Sequence, residues 1–521
     1  MSLVRSIATV GGWTMGSRVL GFVRDMFIAG FLGAGQVSDA FFVALQFPNI
    51  FRRLFAEGAF NAAFVPLFAG ELTTHGRAAA REFAERVFGV MVVLLLALTF
   101  VVEIYMAEVM TLVAGGFADD PEKFALAVDF ARLTFPYLLF VSLAAMLSGI
   151  LNTLDRFVAA AAAPILLNIV LISALIAVAL GWVPDPGLAL SWAVLIAGIG
   201  QFIWLAIACG RAGLLPRVPR FVMELRVRRL FALMGPGILG AGVYQINVLI
   251  GVRLASELPE GSVSFLYFAD RVNQLPLGVV GAAVGVALLP LLARQLRAGD
   301  TAAAQDSQNR AIEFAMLLTV PAAAALLVIA DPLITVLFQR GAFDALDAAA
   351  TSQALAAFAL GLPAYVLIKA LAPGFFARED TKTPVKIAAV ALILNVAVAL
   401  ALMPLLAHVG IALATAISAW FNAGMLGVLL YRRGLLDPDW RLLQRLARVV
   451  LAAGLMAAGL WLGARGLETW LQRSDLAGVA ALVVLVAGGI AAYAVLAQLL
   501  RATSLKEMRA MFRRGESPGK P

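Results

Sequence analysis

The chain has 521 residues, of which 62% are hydrophobic and only 14% charged, with a mean hydropathy of +0.93. Soluble domains carry about 25% charged residues, so this composition excludes a soluble globular protein and indicates an integral membrane protein. The apolar stretches are continuous, rich in Leu, Ala and Val and free of dyad alternation, which excludes a β-barrel and predicts an all-α polytopic fold. The single cysteine, Cys209, rules out an internal disulfide or a cysteine metal site. His75 and His408 are far apart and read as loop residues. The first apolar segment is long and no small-residue cleavage motif follows it, unlike a cleaved signal peptide.

A membrane span needs roughly 20 apolar residues. In chain order, spans are predicted near 6–32, 38–70, 87–114, 130–151, 158–182, 188–209 and 230–254. Seven more follow near 263–293, 311–337, 352–376, 385–406, 409–430, 447–466 and 477–500, fourteen in all. The loops between them alternate in charge. Arg77, Arg81 and Arg86 follow the second span, and Arg211, Arg217, Arg220, Arg226, Arg228 and Arg229 follow the sixth. Arg294, Arg297 and Arg310 follow the eighth, Arg378, Lys382 and Lys386 the tenth, and Arg432, Arg433, Arg441, Arg445 and Arg448 the twelfth. The intervening loops, such as "GGFADDPEKF" and "SELPEGS", are poor in Lys and Arg. By the positive-inside rule both termini are expected in the cytoplasm. The net charge of +8 is then an orientation signal, with no need of a nucleic-acid partner.

The chain also repeats itself. "VSDAFFVALQFP" (37–48) recurs loosely as "VSFLYFADRVNQLP" (263–276), and "AAFVPLFAGEL" (62–72) as "VALLPLLARQL" (286–296). "FPYLLFVSLAAMLSGILNT" (135–153) matches "LPAYVLIKALAPGFFARED" (362–380), and Asn168 aligns with Asn395. The offsets cluster near 225 residues, or six spans. An even number of spans preserves orientation, so the repeats are parallel. The expected domains are an N-lobe (1–215), a C-lobe (216–435), an added pair of spans (436–505) and a basic tail (506–521). Two such lobes facing each other make an alternating-access transporter.

Several spans carry charge. Burying one costs at least ~2.5–3.5 kcal/mol at a helix centre, so it normally faces a cavity or a partner. The first span holds Arg18, Arg24 and Asp25, and the second Asp39, Arg52, Arg53 and Glu57. The eighth holds Asp270 and Arg271, and the tenth Lys369. Arg18 and Asp25, seven apart, share a helix face, and Arg53 and Glu57 form an i,i+4 pair. Arg18, Arg24, Arg52 and Arg271 remain as an excess of positive charge drawn from both lobes. Guanidinium stays charged when buried and fits phosphate oxygens bidentately, so these four residues are candidates to bind a polyanion. The competing reading is that they tie helices together through Asp25, Asp39, Glu57 and Asp270. No phosphate loop, zinc motif or nucleophile elbow occurs, so neither an ATPase nor an enzyme is indicated.

"SRVLGFVRD", "SDAFFVA", "FPNIFRRLFAEGAFNAAFVPLFA", "GILNTLDRF", "YFADRV" and "APGFFAREDTKTPVKIA" resemble the MurJ/MviN family of lipid II flippases, within the MOP transporter superfamily. The resemblance spans about residues 1 to 510 and is most specific over 37–68 and 372–388. It implies two six-helix lobes plus two C-terminal helices lining a hydrophobic groove, in the bacterial inner membrane. It implies as substrate an undecaprenyl-diphosphate-linked disaccharide-pentapeptide, moved from the inner to the outer leaflet. It places the family's cavity arginines on Arg18, Arg24, Arg52 and Arg271, with Ser17, Asp25, Asp39, Asn49, Glu57 and Asp270 as associated polar groups. Family members often carry an acid shortly after "ADR"; here Asn273-Gln274 stands instead. No cofactor is expected, and the driving force would be the membrane potential or a monovalent cation. Cell-wall synthesis proteins are candidate partners beside lipid II and the bilayer. The alternatives are an organic-cation exporter of the same superfamily, disfavoured by the arginine excess, and a non-transporting cell-wall scaffold.

Overall fold

In hydrocarbon every backbone N–H and C=O must be satisfied within its own segment or by a protein neighbour. The computed structural model describes residues 3–53, 60–216 and 221–503, and these are helical almost throughout. The chain forms two compact units, 1–264 with 341–343, and 265–340 with 344–521.

In the first unit α1 (Leu3–Leu32), α2 (Gln36–Phe51), α3 (Asn61–Ile104), α4 (Met106–Ala114) and α5 (Pro121–Thr134) are followed by α6 (Tyr137–Thr153), α7 (Phe157–Ala179), α8 (Pro186–Arg211) and α9 (Leu225–Ser256). α10 (Ser262–Arg297) begins in this unit and continues in the second. There it is joined by α11 (Thr301–Val328), α12 (Ala330–Phe338), α13 (Ala345–Phe376), α14 (Lys382–Arg432), α15 (Trp440–Gly466), α16 (Glu468–Leu471) and α17 (Leu476–Leu499).

Among the described residues, the fourteen expected spans fall on a helix or on two in succession. Nine helices there are long and apolar enough to cross a membrane. The two counts are consistent for physical reasons. α3 and α14 each run through two spans, bending at Gly76 (φ 80°) and Ala407 (φ 46°). α1 carries Arg18, Arg24 and Asp25, which dilute its hydropathy. The bend at Gly76 requires a left-handed conformation that glycine adopts without steric cost. It folds α3 back so that Phe83 stacks on Phe64 with centroids 6.0 Å apart, extending the ladder of Phe60, Phe64 and Phe68. Around this ladder Met146, Leu147, Leu205, Cys209, Val227 and Leu230 bring α6, α8 and α9 into one core.

At its C-terminal end α1 meets the short segment 341–343. The Ala342 N–H donates to the Gly30 carbonyl at 2.8 Å, and a Cβ on Gly33 (φ 63°) would lie 2.5 Å from the Ala342 oxygen. Only glycine fits this approach.

In the second unit Leu288, Leu292, Ala315, Met316, Val366 and Leu430 join α10, α11, α13 and α14. The two helices outside the repeat pack on α11 and α12 through Met456, Leu460, Leu482 and Leu485. At one end of α15, buried Glu313 of α11 accepts from Arg310 and Arg445, with Arg441 3.7 Å away. Arg310 also reaches Asp439, whose other carboxylate oxygen caps α15 at Leu442 N–H, 2.8 Å. This network pins the start of α15 to α11.

Between α13 and α14, Asp380 accepts from the Thr383 amide at 3.0 Å, the Thr383 hydroxyl at 2.6 Å and the Arg433 guanidinium at 2.8 Å. The Thr383 hydrogen bonds, with Arg433, hold its carboxyl down at about 2. Its folded pKa lies below the unfolded value near 3.9, so its contribution is fully present above about pH 4 and is lost as the pH falls toward 2. Hydrogen exchange at the Thr383 amide should therefore speed up across that window, while the Asp380→Asn variant shows no such step.

Candidate functional site

Arg24, Asp25 and Asp39, the buried charged residues of α1 and α2, lie in two clusters. On α1, Arg24 and Asp25 are 5% and 2% exposed. Arg24 donates from Nε and Nη2 to the same Asp25 oxygen, at 3.0 and 2.6 Å, and from Nη1 to Asn168 Oδ1 at 3.0 Å. The Asn168 amide in turn donates to the Ser17 carbonyl at 3.0 Å. Asn168 lies on α7, which packs along α1, and it sits close over Gly21, where a Cβ would be 3.6 Å away. The pair is thus solvated by protein groups, as a buried ion pair must be if desolvation is not to outweigh attraction. Arg18, one turn and a half earlier, is exposed and makes no hydrogen bond or ion pair among the described residues.

The second cluster closes the far end of α2. Asp39, 1% exposed, accepts from Lys123 Nζ at 2.7 Å, the Gly261 amide at 2.9 Å, and the Ser264 amide and hydroxyl at 2.9 and 2.6 Å. The Ser264 hydroxyl also meets that of Ser38 at 2.9 Å. Gly261 and Ser264 flank the start of α10, so the carboxylate satisfies N–H groups that a helix N-terminus leaves open and complements the helix dipole. Lys123 also lies 4.3 Å over the Phe117 ring. α2, α5 and the first turn of α10 are therefore held by one carboxylate.

Near the other end of α2 Pro48 lies within the helix, and Arg52 Nε donates to Asn49 Oδ1 at 3.0 Å. The Asn49 amide donates back to the Leu45 carbonyl at 2.8 Å. Glu57 lies outside the described residues. In the second unit Arg271 donates to the Tyr267 hydroxyl at 2.8 Å and lies 4.9 Å from that ring's centroid. Asp270 accepts from the Gln274 amide one turn on. An acid at position 274 would repel Asp270; glutamine instead donates to it.

Of the residues expected from the sequence, Ser17, Arg24 and Asp25 come together, as do Asn49 and Arg52. Asp39 is bound to Lys123, Gly261 and Ser264, which sequence reasoning did not select. Asn168 was legible only as a repeat landmark, and Lys123 sat in a loop whose scarcity of basic residues was the informative property. A single lysine in such a loop, set against an acid at a span end, is the signal that could have found it.

The Asp39→Asn variant leaves Lys123 buried without an acid. It should lower the unfolding free energy by about 3–5 kcal/mol, read as a fall in melting temperature of the purified protein. Adding Lys123→Met should restore part of that loss; no recovery would mean that the charge pair is not what closes the end of α2.

Comparison with known proteins gives the family and the fold. The family model for lipid II flippase MurJ matches residues 28–505. A probable lipid II flippase MurJ of Rhizobium meliloti (strain 1021) is 47% identical over 99% of this chain and 97% of its own length. One from Rhizobium tropici is 50% identical over 88% of this chain and 86% of its own. Among solved structures, a lipid II flippase MurJ in an inward closed conformation superposes with a TM-score of 0.78 at 23% identity, covering 94% of this chain and 98% of that one. An inward-facing MATE multidrug transporter of the MOP superfamily gives 0.65 at 16% identity, over 80% and 94%. The fold is that of MOP transporters, and by family model and sequence identity the chain belongs to the MurJ family of lipid II flippases.

Proposed function

We propose that the protein moves lipid II, the undecaprenyl-diphosphate-linked peptidoglycan precursor, from the inner to the outer leaflet by alternating access. We propose further that Arg18, Arg24, Arg52 and Arg271 recognise its diphosphate. The observation that carries this reading is the way Arg24 is held. Its guanidinium uses three of five N–H groups on Asp25 and Asn168, so the fork is oriented before any ligand arrives and two donors remain. Asp25 offsets the charge while the site is empty. An incoming diphosphate brings its own negative charge and can take bidentate bonds that neither neighbour uses. A protein that only needed to tie α1 to α7 could do so with neutral hydrogen-bonding side chains, at less cost than a buried guanidinium.

The isoprenoid tail stays in hydrocarbon, with α15 and α17 as its proposed groove. The Asp39 cluster serves as the latch of the outer gate, to be undone when the substrate leaves. Nucleotide-binding motifs are absent from the sequence, so the membrane potential is the proposed driving force. An inside-negative potential favours outward movement of a negatively charged substrate by ~2.3 kcal/mol per charge per 100 mV. Ion coupling and contacts with cell-wall synthesis proteins would add to this scheme without altering it.

Replacing Arg24 by Lys keeps the charge and loses the fork. Lipid II binding should weaken by about 1.5–3 kcal/mol, ten- to a hundredfold, with little change in melting temperature. The Arg24→Ala, Asp25→Ala double variant should insert stably yet fail to move labelled lipid II in proteoliposomes. Normal growth of a strain depending on that variant would overturn the reading, and so would transport of a cationic dye in place of lipid II.

Orientation has its own test. In a Cys209→Ser background, Ala118→Cys should react with an impermeant thiol reagent added to intact cells, and Ala298→Cys should react only after lysis. The reverse pattern would invert the proposed topology.

A further inference from the structure

The two repeats differ at one matched place. In the first, α6 turns through Asp155 (φ 57°) and Arg156 into α7. Beside this turn, against the last turns of α8, lies a cavity of about 380 Å³ walled by Phe157, Val158, Trp204 and Ile207 and carrying Arg156 and Arg211. Val158, Trp204 and Ile207 are 41%, 45% and 51% exposed, so the apolar wall continues onto the outer surface of the unit. Both arginines are exposed, and neither makes a side-chain hydrogen bond or ion pair among the described residues. The N-terminus of α7 has no side-chain cap.

In the second repeat the corresponding turn has Glu379 (φ 63°) where Asp155 stands and Asp380 where Arg156 stands, and Arg433 follows the last turn of α14, whose second half matches α8. There the place is filled from within. Asp380 binds the Thr383 amide, the Thr383 hydroxyl and Arg433 at once, so a carboxylate lies against both the helix start and the arginine. In the first repeat the Asp155 side chain makes no such bond among the described residues, and Arg211 is left with no acid.

We infer that the first repeat takes the missing anion from the membrane: the cavity between α7 and α8 binds the phosphodiester headgroup of an anionic glycerophospholipid. The two arginines less Asp155 leave one net positive charge, matching the single charge of a phosphodiester. Guanidinium suits phosphate oxygens. The cavity lies at helix ends, at headgroup depth, with a tryptophan of the kind that marks membrane interfaces. Its walls suit acyl chains, which a free phosphate lacks, and basic pockets between membrane helices are a known way of holding acidic lipids. The inference requires only that the helices span a bilayer, and stands whether or not the diphosphate reading holds.

The test is lipid-dependent thermal stabilisation of the purified full-length protein in detergent, titrated with phosphatidylglycerol or phosphatidylcholine. Phosphatidylglycerol should raise the melting temperature and phosphatidylcholine should not. Arg156→Gln and Arg211→Gln should each weaken the apparent affinity about fivefold and the double variant about 25-fold, at roughly one surface charge's worth each. Arg433→Gln, whose carboxylate is built in, should leave it unchanged. Unaltered stabilisation of the double variant, or equal stabilisation by phosphatidylcholine, would overturn the proposal. Equal stabilisation by inorganic phosphate would reduce the site to a free-anion site and overturn the lipid assignment. Should the double variant fail to fold, Ile207→Trp crowds the wall and leaves both arginines in place. It should weaken phosphatidylglycerol binding, and an unchanged titration would count against the site.

Discussion

A charge held among membrane helices has to be solvated by the protein itself, and much of this structure follows from how that is done. Arg24 is surrounded by a carboxylate and an amide, with a backbone carbonyl behind the amide. To bring the amide there, α7 must run along α1, and Gly21 must leave room for it. Asp39 imposes a similar demand elsewhere: its carboxylate has four donors, from α5 and from the start of α10. Hydrophobic packing gives the helices little reason to prefer one neighbour over another, because lipid tails are as apolar as Leu. The polar clusters supply the preference. They are few, and each joins elements distant in sequence.

Much of this was legible from the chain alone. The spans, their alternating loop charge and the 225-residue repeat rest on hydropathy and periodicity, which the bilayer enforces strongly. The bend at Gly76 falls on a residue suited to it, whereas the one at Ala407 falls on a residue that rarely adopts a positive φ. Ala407 is set there by its surroundings: His408 reaches the Ala350 carbonyl at 2.9 Å and packs against Phe265. Arg24 and Asp25 stood out because charge in an apolar run is conspicuous. Their partner Asn168 did not, since a lone asparagine in an apolar span costs little and signals little. The same holds for Lys123, whose significance depends on an acid 84 residues away.

The repeat is equally instructive where it diverges. Duplication predicts that matched positions begin with matched chemistry, yet the turn before α14 carries Asp380, locked against Thr383 and Arg433, where the turn before α7 carries Arg156. Asn168 serves an arginine on α1, and its counterpart Asn395 is likewise buried. Gln274 engages Asp270 as a donor. The scaffold is shared with MOP transporters of low identity.

The adjacency of Arg24 and Asp25 has a consequence for biogenesis. Asn168 lies 144 residues further along the chain; at about 5–20 residues per second, it emerges some 7–30 s after Arg24. α1 therefore meets the insertion machinery with its long-range partner not yet made. Because the counter-charge is the very next residue, the Arg24 guanidinium can be neutralised within α1 from the moment of synthesis and adds no net charge to the segment as it enters the bilayer. An acid placed on any later helix would serve the finished protein equally well and would leave the nascent one stranded.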